Sequence, residues 1–529
     1  MPRRYLGLVF PFLLVVMPGQ GPIDPGGLPG TRLLGGGGKL PDTVYARFLE
    51  LAGGSEKARI VLIPTASGSV DDADELEGVR RRWQHDHPGF RFELLHTRDR
   101  TMADDDAFTA PLRKATGVWL GGGVQKNLAD AYLGTLVERE LMALLARGGV
   151  IGGTSAGTAI QTRTMIESGK EQPIVATGFD FVPGAISDQH FLKRNRLPRL
   201  LRVLGDHPGH FGIGVDEGTA VEIRGRELRV LGDSLALLVL AAGNGHDQRV
   251  VELAAGDQVD LVSWQRAAAA RAAVAAPPRP TAAPNVPHGA LLLVGGGPID
   301  GQLIDRFVEL AGGETAKVVL VPSAAAPGRH DDEPIERWLR QRGVRDVRTL
   351  DCASPREVTA ARLALLDDAT AVWFGGGRQW RFVDAFAGTP AIAAFHAVLQ
   401  RGGVIGGNSA GATIQGEFLV GGDALSNTEL WCEGYDRGFG FLPGVAIDHH
   451  FMAQDRTNDL VALMARLPGW VGLGIDEGAA VIVQGTLLEV LGSGKVAVLD
   501  HRTSGSNGAA KAPPPRWLTA GGRFDLGAR

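Results

Sequence analysis

The chain states one pattern twice, and that duplication limits it to a pair of like domains. Val118-Trp119-Leu120-Gly121-Gly122-Gly123 is answered by Val372-Trp373-Phe374-Gly375-Gly376-Gly377. Residues 58–64 are answered by 316–322, and Leu33-Leu34-Gly35-Gly36-Gly37 aligns with Leu293-Val294-Gly295-Gly296-Gly297. Matching positions stay 254 to 260 residues apart, so only short insertions separate the copies. Solenoid repeats are several-fold shorter, so a period this long means duplicated domains. A length of 529 residues accommodates two of them. The pattern places one domain over 28–266 and the other over 289–529. The intervening segment 267–288 is rich in Ala and Pro, with Pro277-Pro278-Arg279-Pro280 at its centre. Such a composition buries little apolar surface and reads as a stiff spacer.

Within each copy, short Val/Ile/Leu runs alternate with longer stretches of helical period. Residues 59–63, 117–120 and 149–151 read as strands buried on both faces. Residues 128–146 read as a helix, with Leu133, Val137, Leu141, Leu144 and Leu145 on one side. This alternation predicts an α/β domain: a mostly parallel sheet with helices on both faces. Each copy closes on a β-rich part, 220–240 and 479–499, whose glycine punctuation suggests hairpins.

The chemistry sits at matching places in the two copies. Gly153-Thr154-Ser155-Ala156-Gly157 and Gly407-Asn408-Ser409-Ala410-Gly411 are both G-x-S-x-G runs between an apolar strand and a helix-compatible stretch. That is the setting of a nucleophile elbow, where glycines two positions either side leave room for a sharp turn. A serine needs a base within hydrogen-bond reach. Asp188-Gln189-His190-Phe191 and Asp448-His449-His450-Phe451 each follow a Pro-Gly turn, so His190 and His450 are the expected general bases for Ser155 and Ser409. An acid should orient each imidazole. Asp216-Glu217 and Asp476-Glu477 offer one apiece, because in extended chain neighbouring side chains face opposite ways. Glu217 and Glu477 are the preferred candidates, with Glu167 and Glu171 as rivals in the first copy.

Backbone amides should stabilise the oxyanion. Ala156 and Ala410 follow the nucleophiles, and Gly122, Gly123, Gly376 and Gly377 can bring backbone close to substrate. None of the glycine runs completes G-x-G-x-x-G, which argues against nucleotide binding. A metal reading of His449-His450 fails because adjacent strand residues diverge and no Cys/His cluster accompanies them. After His190 comes a cationic run, Lys193, Arg194, Arg196, Arg199 and Arg202, suited to substrate carboxylates. The second copy keeps Arg456 but has Gln454 and Asp459 where the first has Arg194 and Arg199, so it should grip such groups less well.

The formal net charge of -5 gives no electrostatic case for nucleic acid. Cys352 and Cys432 are too few for a disulfide framework, though a single bridge stays open. At the N-terminus, Arg3-Arg4-Tyr5 precedes an apolar run over 6–17. It is too short for a membrane span and fits a secretory leader over 1–27, hence export to the periplasm or medium, with a cytoplasmic location as the alternative if the leader is not functional.

Taken together, Gly-Gly-Thr-Ser-Ala-Gly at 152–157, Asp-Gln-His-Phe at 188–191, the stretch 213–220 and the run ending in Gln125 resemble cyanophycinases. These belong to a serine peptidase family that also holds aspartyl dipeptidases. The resemblance covers nearly all of both copies. It implies a flavodoxin-like or class I glutamine amidotransferase-like fold, a Ser-His-acid triad and no cofactor. The implied substrate is cyanophycin, a poly-aspartate backbone bearing arginine on each side-chain carboxyl, and the implied products are β-aspartyl-arginine dipeptides. By the same resemblance Gln125, Asp188, Gln189, Arg194, Arg196 and Arg199 line the substrate pocket, with Gln379, Asp448 and Arg456 at the second copy's positions. The departures are Val124 and Arg378, where the family often has a polar or acidic residue, and Asn408 and His449 in the second copy. Family members are usually homodimers, so the fused copies are expected to pair as an internal pseudo-dimer. The alternative expectation is an isoaspartyl or α-aspartyl dipeptidase whose second domain is a non-catalytic binding or pairing module.

Overall fold

The structure is a computed structural model that describes residues 23–88, 91–326, 333–426, 428–502 and 514–528. The first copy is built on an eight-stranded sheet. Its parallel part runs Phe92–Leu94, Ile60–Ile63, Gly117–Leu120, Val150–Thr154, Leu28–Gly35 in spatial order. Ile60–Ile63 and Gly117–Leu120 are buried at every position, as strands covered on both faces must be. The four consecutive strands after the first take the 2-1-3-4 order of flavodoxin, and the N-terminal strand fills the fifth place. Beyond it the sheet turns antiparallel through the hairpin Thr219–Gly225 and Glu227–Gly232. The second copy repeats this sheet strand for strand, with Val286–Val294 in the place of Leu28–Gly35.

A second, smaller sheet in each copy carries the histidine. In the first copy Ala185–Gln189 pairs in parallel with Phe211–Val215, which pairs antiparallel with Ala236–Leu240. The β-rich C-terminal part is therefore divided: its hairpin extends the main sheet, and Ala236–Leu240 joins the other.

Several local expectations change. The stretch 128–146 is two helices, Gln125–Tyr132 and Leu136–Ala146, because Gly134 adopts a φ of +80° between them. The glycine runs align one residue differently from the sequence match. A Cβ on Gly36 or on Gly295 would strike the carbonyl of Asp216 or Asp476 respectively, so Gly36, not Gly35, is the equivalent of Gly295. Four consecutive glycines leave the register ambiguous in sequence. The segment 267–288 is not a bare spacer. A helix, Leu261–Ala273, runs into it and buries Trp264, Ala267 and Ala268, and the strand Val286–Val294 begins within it. Trp470 Nε1 donates to Pro278 O at 2.9 Å, and the Thr281 amide donates to Glu417. The leader falls largely on residues 1–22, outside the described residues. Residues 23–27 pack on the body, where Ile23 is buried and Asp24 pairs with Arg356.

The two copies meet across a buried ionic cluster. Arg226 forks onto Asp260 at 2.7 and 2.8 Å, and reaches Asp384 at 2.8 Å and Tyr435 Oη at 2.9 Å. Asp384 also accepts from Tyr435 at 2.7 Å and pairs with Arg266 at 3.0 Å. Arg271 pairs with Glu433. Around these charges one hydrophobic cluster takes side chains from both copies, among them Leu261, Trp264, Phe382 and Val383. Both cysteines are free thiols. Among the described residues no single helix is long and apolar enough to cross a membrane.

Candidate active site

Ser155 stands at the break between the strand Val150–Thr154 and the short helix Ala156–Ala159. Its φ of 51° lies in the left-handed region, a strained setting for a serine of about 1–3 kcal/mol. The flanking glycines permit it. A Cβ on Gly153 would collide with the Gly157 carbonyl, and one on Gly157 with the Leu120 carbonyl. Ser409 has the same backbone, with φ 54°.

Ser155 Oγ lies 2.9 Å from His190 Nε2, and His190 Nδ1 lies 2.7 Å from Glu217 Oε1. An ionised carboxylate only accepts, so the imidazole proton sits on Nδ1 and Nε2 is free to take the serine's. The second copy repeats the relay. Ser409 Oγ is 3.1 Å from His450 Nε2, and His450 Nδ1 is 2.6 Å from Glu477 Oε1. His190 is set by its own backbone. Leaving the strand Ala185–Gln189, it takes a φ of 51° and its amide donates to Gly36 O at 2.6 Å. Asp216, the other half of the acid pair, accepts from the Lys193 amide and Ser234 Oγ instead. Glu167 and Glu171 are not at the histidine; Glu167 lines the pocket and Glu171 is exposed.

Burial holds His190 below the ordinary histidine value of 6.5. Glu217 pulls it upward, and the Arg194 and Arg196 charges push it down again. The imidazole is therefore neutral, and competent as a base, at neutral pH. Gly122 packs beside Ser155, and the Gly123 and Ala156 amides donate to no acceptor among the described residues. Those amides are the available donors for a developing oxyanion.

A pocket of about 600 Å³ opens beside Ser155. Gln125, Glu167, Lys170, Gln189, Arg194, Arg196 and Arg199 contribute to its wall. Gln125 Nε2 donates to Ile166 O and Glu167 O, which fixes the strand above the pocket. Gln379 makes the same bonds to Val420 O and Gly421 O. Gln189 is 4% exposed and its Oε1 has no hydrogen-bond partner among the described residues.

The expectation for Asp188 needs correction. It is fully buried and absent from the pocket wall, because Arg199 forks onto both its oxygens at 2.6 and 2.7 Å while Arg196 adds a third bond at 3.1 Å. Arg199 also donates to Gly169 O. Asp188 thus braces two arginines of the pocket wall from behind; of the expected guanidinium forks Arg194 and Arg202 are exposed, and of these two Arg194 lines the pocket. In the second copy one arginine, Arg456, reaches Asp448 at 2.8 Å, the His449 amide donates to the same oxygen at 3.0 Å, and Asp448 Oδ2 has no hydrogen-bond partner among the described residues. Burial pushes that carboxyl up to about 6. His449 and His450 turn to different partners, His449 Nδ1 lying 2.6 Å from Thr413 Oγ1. Sequence reasoning missed Gly37 and Gly296, which lie flat against the two imidazoles. Their only sequence signal is membership of a glycine run.

A serine on a strained elbow, a base oriented by an acid and free amides at the oxyanion position define a serine hydrolase on an α/β sheet. The sequence model of peptidase family S51 matches residues 33–231 and 291–491, and the chain belongs to that family as a serine-type peptidase in two tandem copies. A cyanophycinase of Trichormus variabilis is 36% identical over 217 residues, 38% of this chain and 71% of the relative. A cyanophycinase of Geminocystis herdmanii is 33% identical over 206 residues, 37% of this chain and 74% of its own length. Among solved structures, a peptidase from an acI-B1 actinobacterium aligns over 45% of this chain and 97% of its own, at 24% identity and a TM-score of 0.36.

Proposed function

We propose that the first copy hydrolyses cyanophycin to β-aspartyl-arginine dipeptides through an acyl-enzyme. Ser155 attacks the amide carbonyl while His190 takes its proton. The Gly123 and Ala156 amides carry the oxyanion. His190 then protonates the leaving amine, and water releases the acyl group by the same route. The observation that carries this reading is the pocket next to Ser155, which offers both signs of charge. Glu167 suits a substrate guanidinium, Arg194 and Lys170 suit its carboxylates, and Gln189 Oε1 is a buried acceptor in want of a donor. The cyanophycinase relatives support the same substrate.

The reading includes an internal pseudo-dimer built on the Arg226–Asp384 contact, and export directed by the basic and apolar N-terminal run. N-terminal sequencing of the mature protein from culture medium or periplasm tests the export. The decisive experiment for the activity is incubation with purified cyanophycin and identification of products by mass. The wild type should release β-aspartyl-arginine and Ser155→Ala should lose most of that release. Equal release by both proteins would refute the assignment of Ser155.

A further inference from the structure

We infer that the second copy is a working peptidase centre with a different specificity: it cleaves peptides bearing an apolar residue next to the scissile bond. The inference rests on the catalytic reading of the Ser-His-Glu relay given above.

The machinery itself is intact. Ser409, His450 and Glu477 repeat the first copy's distances, and Gly377 keeps the left-handed φ of Gly123. What has changed is the wall. The exposed Arg194 is replaced by Gln454, and Asp459 stands in the place of Arg199. Gln189, with its unpaired acceptor, has become His449, which is buried and engaged with Thr413. On the same side the exposed Val124 is replaced by Arg378, whose Nη2 donates to the carbonyls of Asp423 and Ser426 and ties that loop down. The exposed arginine and the unpaired amide acceptor of the first copy's wall have no counterpart at the matching positions.

Space appears instead next to the glycine wall of the histidine. A cavity of about 410 Å³ meets Ser409, His450, Asn408 and Gly377, and Pro298, Ile299, Pro334, Ile335 and Trp338 line its apolar side. The first copy's pocket does not extend to the matching residues. Gly37 and Gly296 both contact their imidazole, so the position after the next glycine is Lys39 in the first copy and Pro298 in the second. A lysine at that rim would disfavour an apolar group; proline and isoleucine favour one. The chemistry is otherwise unaltered: Ser409 Oγ bonds to the carbonyl carbon, the C–N bond breaks, the amine leaves with the proton from His450, and water completes the cycle.

The test uses the full chain as Ser155→Ala, with Ser155→Ala/Ser409→Ala as the blank. The probes are aspartyl-leucine and aspartyl-arginine dipeptides in α and β linkage, together with a fluorophosphonate label. Ser155→Ala should take the label at Ser409 and cleave a leucine peptide with a kcat/KM at least roughly tenfold above its arginine counterpart. The double variant should do neither. Adding Pro298→Lys to Ser155→Ala should shrink the leucine preference while labelling persists. Failure to label Ser409 would overturn the catalytic reading of the second copy. Labelling with a preference for arginine, or with no cleavage of either leucine peptide, overturns the apolar assignment alone.

Discussion

Gly37 lies flat against the imidazole of His190, so close that a single methyl group there would overlap the ring atoms Cε1, Nε2 and Nδ1. The glycine fixes the plane in which the base meets Ser155. Gly37→Ala must therefore turn or shift the ring, and a displacement of about 1 Å costs on the order of 100-fold in rate. We expect the initial rate on cyanophycin to fall by about that factor with an unaltered circular dichroism spectrum. Gly296→Ala, which disturbs only His450, should leave the rate nearly unchanged.

The pH profile follows from the environment of His190. The base works when neutral, and burial and two arginines hold it below 6.5. The rising limb of kcat/KM should accordingly fall below pH 6.5. Removing a nearby positive charge makes the imidazolium less unfavourable, so Arg194→Gln should move the limb to higher pH. A limb that stays in place would detach Arg194 from the electrostatics of the base.

Much of the site was legible in the sequence because it is local. An elbow is a five-residue pattern, and alternation along the chain left one acid of each Asp-Glu pair for the histidine without saying which. The duplication fixed which histidine mattered, since Asp188-Gln189-His190 and Asp448-His449-His450 answer each other. Asp188 was misplaced because its neighbours decide its role. Whether a carboxylate faces a pocket or the underside of Arg199 is a tertiary property with no local mark. The helix Leu261–Ala273 was hidden for a related reason: alanines read as a spacer until a second domain offers them a surface to bury against. The parallel core strands, by contrast, announce themselves as apolar runs because both faces are covered.

Asp448 should make the second copy's stability depend on pH. Its carboxyl is raised by burial to about 6 in the folded chain, against about 3.9 when unfolded. The folded state then binds more protons than the unfolded state between those values, so stability falls as pH rises from about 4 to about 6. Asp448→Asn removes the titration. It should flatten that slope, read from urea unfolding at several pH values. An unchanged slope would mean that Arg456 compensates the charge fully.

The contact between the copies depends on Asp384, which is 3% exposed and sits between Arg226, Arg266 and Tyr435. Taking away one member of a buried ion cluster leaves the remaining charges without compensation, at a cost of about 3–5 kcal/mol. In Asp384→Ala two guanidinium groups lose their shared acceptor, although Asp260 still holds one of them. If the two copies form a pseudo-dimer through this cluster, calorimetry of the variant should resolve two unfolding transitions where the parent shows one, because each copy has its own sheet and core. Cyanophycin hydrolysis at Ser155 should persist below the first transition, since neither Asp384 nor its partners touch that site. A single transition at the parent's temperature would show that the copies are held together by the apolar contacts around Trp264 and Phe382 rather than by the charges.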